Sequence, residues 1–409
     1  PAGQTYAQAL ANGGININDY ISNGNNRSAP KDEWQPRLGF SYDVDADEQH
    51  VIHGGAGRSY DRDLYDYLQL EITKAALPQF TVYFQDPATG ACRNNGSPCV
   101  PWDPNYLNGL GNLQALVQAG NGGEVDMLNN DLKVPYSDQF SLGMTNTIGQ
   151  WITDATVTRI LSHDGFVFTL GNRYPNGDFF QNGSQPWGNG VPGFGALILG
   201  SNGIETKTTQ LLLSAQKPYS KESGWAASIA YTYTNAIQNR DINEHYSFDR
   251  ATIEDYPFIR SNAAPRNRIV MVGSYDIPWG ITLGAKITLA TPTPGNTFSC
   301  HSVTPTTPPT TEPPCNPAGV QPSGSGRFIV GGQYWGYRSV DLQATKEFAI
   351  GDHVTAFGRL DAINIFDFHN YSDINYVTLP NGSVEATYNP TGNITSVPRT
   401  VKVELGLRF

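Results

Sequence analysis

His50 and His53 come closest in this sequence to a metal-ligand pair, and their spacing argues against one. Three residues apart on an extended strand, they point to opposite faces and cannot chelate one ion. The acidic run Asp43, Asp45, Asp47 and Glu48 mimics the opening of an EF-hand loop, but the twelfth position, where that loop needs Glu, is Gly54; a solvated turn is expected instead. His53-Gly54-Gly55-Ala56-Gly57 has the glycine density of a phosphate loop without its spacing or a following helix, so its glycines are expected to relieve crowding in a strand. No GxSxG elbow is present, and no Cys/His or carboxylate pair is anchored by neighbouring motif residues. Enzymatic activity, a bound metal and a cofactor are therefore not expected. Two residue types remain that can do chemistry. Cys92 with Cys99 and Cys300 with Cys315 form two local pairs in Gly/Pro/Asn-rich stretches. Of three connectivities the local one is expected, in an oxidising compartment, with four free thiols as the alternative. Neither pair has the spacing or histidines of a zinc site. The aromatics Trp102, Tyr174, Trp187, Tyr334, Trp335 and Tyr337 are candidate ligand contacts, since flat amphipathic rings stack on sugars or hold peptide side chains; packing of loops against one another is the competing role.

The elements that must position these residues read as strands. In 398–409, Val401, Val403, Leu405, Leu407 and Phe409 lie on one face and Thr400, Lys402, Glu404, Gly406 and Arg408 on the other. The same alternation runs through 225–234 and 281–289. Eleven strands are predicted, at 34–45, 50–62, 133–149, 151–169, 203–219, 224–239, 265–279, 281–293, 336–350, 353–368 and 398–409. Tight turns at 46–49, 149–150, 220–223, 280 and 351–352 alternate with long loops at 63–132, 170–202, 240–264, 294–335 and 369–397. Within 63–132, which holds Leu64 to Leu70 and then the Cys92/Cys99 pair, Leu107 to Leu116 has helical spacing, so this loop is expected to fold as a cap. Thr304 to Pro314 favours polyproline II and is expected to be a stiff surface loop, with partner recognition as the alternative.

Composition narrows the class to an all-β chain. Among 409 residues there are 43 Gly, 28 Pro, 7 Trp, 21 Tyr, 18 Phe and only 15% charged residues. A net charge of -11, without a basic stripe, argues against nucleic acid as a partner. No apolar run approaches the roughly 18 residues of a membrane helix, which leaves strand-built membrane proteins open. Alternating short and long connections, and a second strand face of Thr, Ser, Gly, Gln and Asn, point to a transmembrane antiparallel β-barrel with lipid outside and a hydrated lumen. A soluble sandwich or propeller fits the loops and strand lengths poorly. Trp34, Trp151, Trp225, Tyr231, Tyr233 and Trp279 suit interfacial girdles. Bacterial single-chain barrels have even strand numbers and both ends in the periplasm. With Phe409 periplasmic, residues 1–33 fall in an extracellular segment, and partner strands must come from a preceding portion or another chain. Pro1-Ala2-Gly3, with no initiator Met or signal sequence, reads as a mature product or a fragment.

Trp34-Gln35-Pro36-Arg37-Leu38-Gly39-Phe40-Ser41-Tyr42 followed by His53 to Arg62, then Tyr136 to Gly143, Ala264 to Arg268, Tyr275 to Gly280 and Asn364-Ile365-Phe366-Asp367, in this order, resemble the barrel of TonB-dependent receptors of the Oar-like group. The likeness covers the chain from about Trp34 to its end. It implies that 34–409 is the C-terminal half, about 11 strands, of a 22-stranded barrel. It implies a plug and TonB box outside this sequence, coupling to the TonB energy complex, and import of an unknown extracellular substrate across the Gram-negative outer membrane. It also implies that Val401, Val403, Leu405, Leu407 and Phe409 form the terminal signal read by the barrel-assembly machinery. The rival is a non-transporting surface barrel, an adhesin or scaffold whose disulfide-capped loops are the working surface. A passive porin would need a charged constriction and no plug.

Overall fold

The computed structural model describes residues 5–61, 65–76, 82–92, 99–117, 124–181, 185–187, 189, 195–240, 246–297, 318–320, 322, 335–350, 353–379 and 384–409. Eleven strands follow one another through a single sheet in chain order: β1 (Arg37–Asp43), β2 (His50–Tyr60), β3 (Tyr136–Ile148), β4 (Trp151–Leu170), β5 (Leu197–Ser220), β6 (Trp225–Gln238), β7 (Asn267–Ile277), β8 (Ile281–Ala290), β9 (Tyr337–Ala349), β10 (Thr355–Ile363) and β11 (Thr400–Arg408). Each is antiparallel to the next. β1 pairs with β2 alone and β11 with β10 alone among the described residues, so the sheet is not closed. No described helix is long and apolar enough to cross a membrane.

Register carries one apolar face from β11 back to β6. Val401, Val403, Leu405, Leu407 and Phe409 are all exposed, Leu405 at 80%. Their paired positions lead to Leu360, Leu342, Leu283, Tyr275 and Ile229, which are exposed as well. An apolar face without cover, on strands of about nine residues or more from β6 to β11, is what lipid contact requires. The opposite face carries Arg359 bonded to Asp361 and Glu404, and His53 bonded to Asp154.

The rims differ. Gly149 (φ 61°), Gly224 (φ 68°), Trp279 (φ 75°) and Gly280 (φ 69°) make tight turns on one rim, where the end of β11 also lies. The 44–49 connection is there too. Asp43 accepts from the Glu48 amide (2.8 Å) and Asp47 from the Gln49 amide (2.9 Å), so these carboxylates shape the expected turn. Trp151 and Trp225 meet edge-on at 6.0 Å on this rim. Residues 351–352 lie outside the described residues.

The long-loop rim departs from the expected outlines in two places. β5 begins at Leu197 rather than 203, because its first turnless stretch pairs with β4 beyond the alternating part. β10 stops at Ile363 rather than 368. Asn364 takes a left-handed conformation (φ 48°), and its side-chain amide donates to the carbonyls of Phe368 and Val397, which closes a tight corner. The loops also hold paired pieces: 374–378 with 384–388, 295–297 with 318–320, and 259–260 against β6. Thr304 to Pro314 falls outside the described residues.

Two close approaches explain glycines in β2 and β3. Phe40 faces Gly54 directly, and a Cβ at Gly54 would stand 2.8 Å from the Phe40 ring. Gly143 lies between His53 and Thr156 in the register, and the His53 ring crosses it so that Nε2 reaches Asp154 at 2.8 Å. A Cβ at Gly143 would overlap Thr156 Oγ1 and stand 2.6 Å from His53 Cε1. Gly143→Ala is therefore expected to destabilise the sheet by about 1–3 kcal/mol, read as a lower thermal unfolding midpoint in detergent. Adding His53→Ala should restore part of that loss, because it removes one of the two clashing groups.

Candidate ligand-binding cap

The buried core lies beyond the alternating strands, on the long-loop rim. β4 and β5 project past the sheet as Phe166-Val167-Phe168-Thr169-Leu170 and Leu197-Ile198-Leu199, all buried. Strand 125–128 runs parallel to 197–200, and 246–247 runs parallel to 168–169, which widens the projection into a small mixed sheet. One of its faces, with Leu128, Phe166, Phe168 and Ile198, packs under Tyr67, Leu68 and Leu70 of helix α2 (Tyr65–Ala76). Tyr67 stacks on Phe166 at 4.1 Å. Its other face, with Leu197 and Leu199, takes Leu10 of helix α1 (Tyr6–Asn12). Each such side chain contributes about 1.5–3 kcal/mol on burial.

Arg27 fastens these layers. Nη1 and Nη2 donate to both oxygens of Glu71 on α2 at 2.6 and 2.8 Å, Nε to Asn130 at 2.9 Å and Nη2 to the Leu128 carbonyl at 2.5 Å. Glu71 in turn accepts from the Leu128 amide at 2.7 Å. A bidentate, charge-assisted fork of this kind fixes orientation as well as distance. Below the clasp is a cavity of about 250 Å³ whose walls include Arg27, Leu68, Leu132, Val134, Pro135 and Phe166. Its apolar walls with a few convergent polar groups are of the kind that hold a small ligand. Arg173 is the second fastener. Its buried guanidinium donates to the carbonyls of Leu170, Asn172 and Ala251 and lies 4.9 Å from the Phe179 ring centre. Burial pulls it down to about 10, against the opposing effects of Tyr6, Tyr20 and Asp255.

The structure distributes the aromatic candidates rather than gathering them. Trp102 packs with Phe84 (5.0 Å) and Tyr106 (6.0 Å), next to the Cys92–Cys99 disulfide. Trp187 packs edge-on against Phe248 at 5.4 Å and donates from its indole nitrogen to Gln185, whose carbonyl accepts from Tyr174. Tyr174 and Trp187 are thus drawn together through Gln185, apart from the Trp102 group. Trp335 and Tyr337 are half-buried at the head of β9, where Tyr337 pairs with Ala290. Tyr334, Cys300 and Cys315 lie outside the described residues. Among the described residues no three His, Cys, Asp or Glu side chains are grouped to hold a metal ion. The sequence reading missed Arg27, Glu71 and Arg173, which act across long separations and leave no local pattern. It also missed Asp126, whose signal was legible as a lone carboxylate inside Val125-Asp126-Met127-Leu128.

Residues 2–289 match the family model described as an outer membrane beta barrel domain. In fold, the chain is similar to the outer membrane transporter YddB from Escherichia coli, with a TM-score of 0.53 at 14% identity over 91% of this chain and 40% of that one. It is also similar, at lower TM-scores, to two receptors of Pseudomonas aeruginosa. One is the ferric enterobactin receptor PfeA (0.45, 13% identity, 92% of this chain and 40% of that one). The other is the pyoverdine receptor FpvA (0.43, 13%, 92% and 36%). At such identities the likeness is one of fold, and the chain spans no more than 40% of the length of these proteins. No curated protein matches it in sequence.

Asp126 makes the cap sensitive to pH. It is buried under α2, and burial pushes its carboxyl up to about 7, helped by the negative charge of Glu124 and opposed by Lys74. A carboxyl whose folded value lies above its unfolded one of 3.8 stabilises the folded form fully below that unfolded value; the contribution is lost as pH rises through about 7. Protection factors across 65–76, that is, exchange corrected for its intrinsic base-catalysed rate, should therefore fall between pH 5 and pH 8, on the order of several-fold, and Asp126→Asn should flatten that dependence.

Proposed function

The chain belongs to the outer membrane beta barrel domain family, and from that premise we propose that it is the C-terminal half of a TonB-dependent transporter of the Oar-like group. The protein resides in the outer membrane of a Gram-negative bacterium. In this reading residues 34–409 supply eleven of twenty-two strands and residues 1–33 an extracellular segment. The cap and the aromatics around it receive a solute from outside. A plug with its TonB box, carried by the remainder of the protein, closes the lumen and is pulled by the energy-coupling complex to admit the solute. Val401, Val403, Leu405, Leu407 and Phe409 serve the barrel-assembly machinery as the terminal strand it recognises.

The observation that supports this most is the open sheet. Eleven antiparallel strands with one uncovered apolar face leave the backbone edges of β1 and β11 without partners among the described residues. In lipid each unsatisfied backbone group costs several kcal/mol, so both edges require further strands. The folded cap supports the receptor half of the reading, since it encloses a cavity on the rim opposite the short turns.

Intact mass and peptide mapping of the protein isolated from outer membranes under denaturing conditions test the proposal. A plug domain with a TonB box, in the same polypeptide or in a nicked companion, is the expected result. Strands alone, with no plug, would overturn transport and favour a surface barrel whose disulfide-held cap is its working face.

A further inference from the structure

The polar face of the sheet is divided into two chemically distinct walls. Following paired residues from β2 to β6, one row reads Ser59, Ser137, Ser162, Thr206 and Gln238, each opposite the next. Four residues further along, on the same face, come Ser141, Thr158, Gln210 and Thr234 in register. Every Arg and Lys of these five strands, namely Arg58, Arg159, Lys207 and Lys217, occupies the opposite parity and so the other face. Of the carboxylates in these strands Asp154 and Asp164 share the row's parity, Asp164 at the β-bulge of β4, and Asp154 accepts from His53, Thr145 and Thr156. The wall from β8 to β11 differs. Lys286, Asp341, Arg359, Asp361, Lys402 and Glu404 share its polar face, cross-linked where Arg359 bonds Asp361 and Glu404.

Hydration of a lumen does not require this segregation, because a charged wall is hydrated as well. Hydroxyls and primary amides both donate and accept, so a wall of them matches a solute rich in hydroxyls in many registers. Apart from Asp154, which His53, Thr145 and Thr156 already hold, and Asp61 at the top-row cavity, it offers little counter-charge for an ion leaving water. At the top row, a cavity of about 240 Å³ opens among Ser59, Asp61, Ser137, Ser162, His163 and Thr206. Ser137 and Ser162 bond each other at 2.8 Å and keep lone pairs for a third hydroxyl.

We infer that the β2–β6 wall is the binding and conduction surface for a neutral polyhydroxylated solute, of the saccharide class, which engages first at the Ser59 to Gln238 row. The conduction half of this inference rests on the transporter reading above; the binding half does not. The test is calorimetric titration of the full-length protein with neutral gluco-, manno- and xylo-oligosaccharides and with an anionic oligogalacturonate of equal length. The expected result is binding of at least one neutral member, weakened about tenfold or more in the S137A/S162A/T206V variant and unchanged in D361N on the charged wall. Removing both partners of the Ser137–Ser162 bond leaves no orphaned group, and an unaltered unfolding midpoint identifies the effect as one on binding. Preference for the galacturonate, no binding by any neutral member, or neutral binding indifferent to the triple change would each overturn the inference. Energised uptake in cells separates the two readings. Binding that depends on the row without energised uptake would overturn conduction and transport together and leave the binding surface standing. Energised uptake of charged solutes alone would overturn the inference and leave the transporter.

Discussion

The constraint on which this structure depends is that no backbone amide or carbonyl can face hydrocarbon without a partner. The antiparallel ladder from β1 to β11 meets it strand by strand, and its register then determines everything on the two faces. Because the side-chain period is two, a slip of one residue in any pair would turn Val401, Val403, Leu405 and Leu407 toward the polar side and Lys402 and Glu404 toward lipid. Gly143 shows how far the register reaches: it is bare because His53 on one neighbouring strand must cross it to meet Asp154 on the other.

Past the alternating part the same strands obey a different rule. Where β4 and β5 leave the apolar belt they are covered on both sides, by α2 and by the α1 segment, and the protein has there the packed interior that its sheet lacks. The cap is thereby joined rigidly to the barrel strands through continuous backbone, and Arg27 and Arg173 tie its layers through carbonyls and one carboxylate rather than through a string of surface ion pairs. Asp126, buried beneath α2 beside Glu124, is the place where the surrounding pH acts on that packing.

The alternating strands were legible in sequence because lipid on one side and water on the other impose a strict period of two, as in Thr400 to Arg408. The start of β5 was not. Leu197-Ile198-Leu199 is apolar on successive residues because both faces are buried, so a search for alternation begins the strand at 203. The end of β10 was missed for another reason: Asn364 turns the chain through contacts with Phe368 and Val397 that only the fold supplies. Of the candidate site, the aromatics and the Cys92–Cys99 pair stood out by residue type. Arg27 and Glu71, 44 positions apart, could be matched only once α2 was placed.

The central claim is that β11 carries one face in lipid and one in a hydrated lumen. Spin labels placed singly from 400 to 408 in the protein reconstituted in bilayers test it through accessibility to oxygen and to a water-soluble nickel chelate. The account predicts oxygen maxima at 401, 403, 405 and 407 and chelate maxima at 400, 402, 404, 406 and 408. Uniform accessibility along the strand, or the opposite phase, would contradict it.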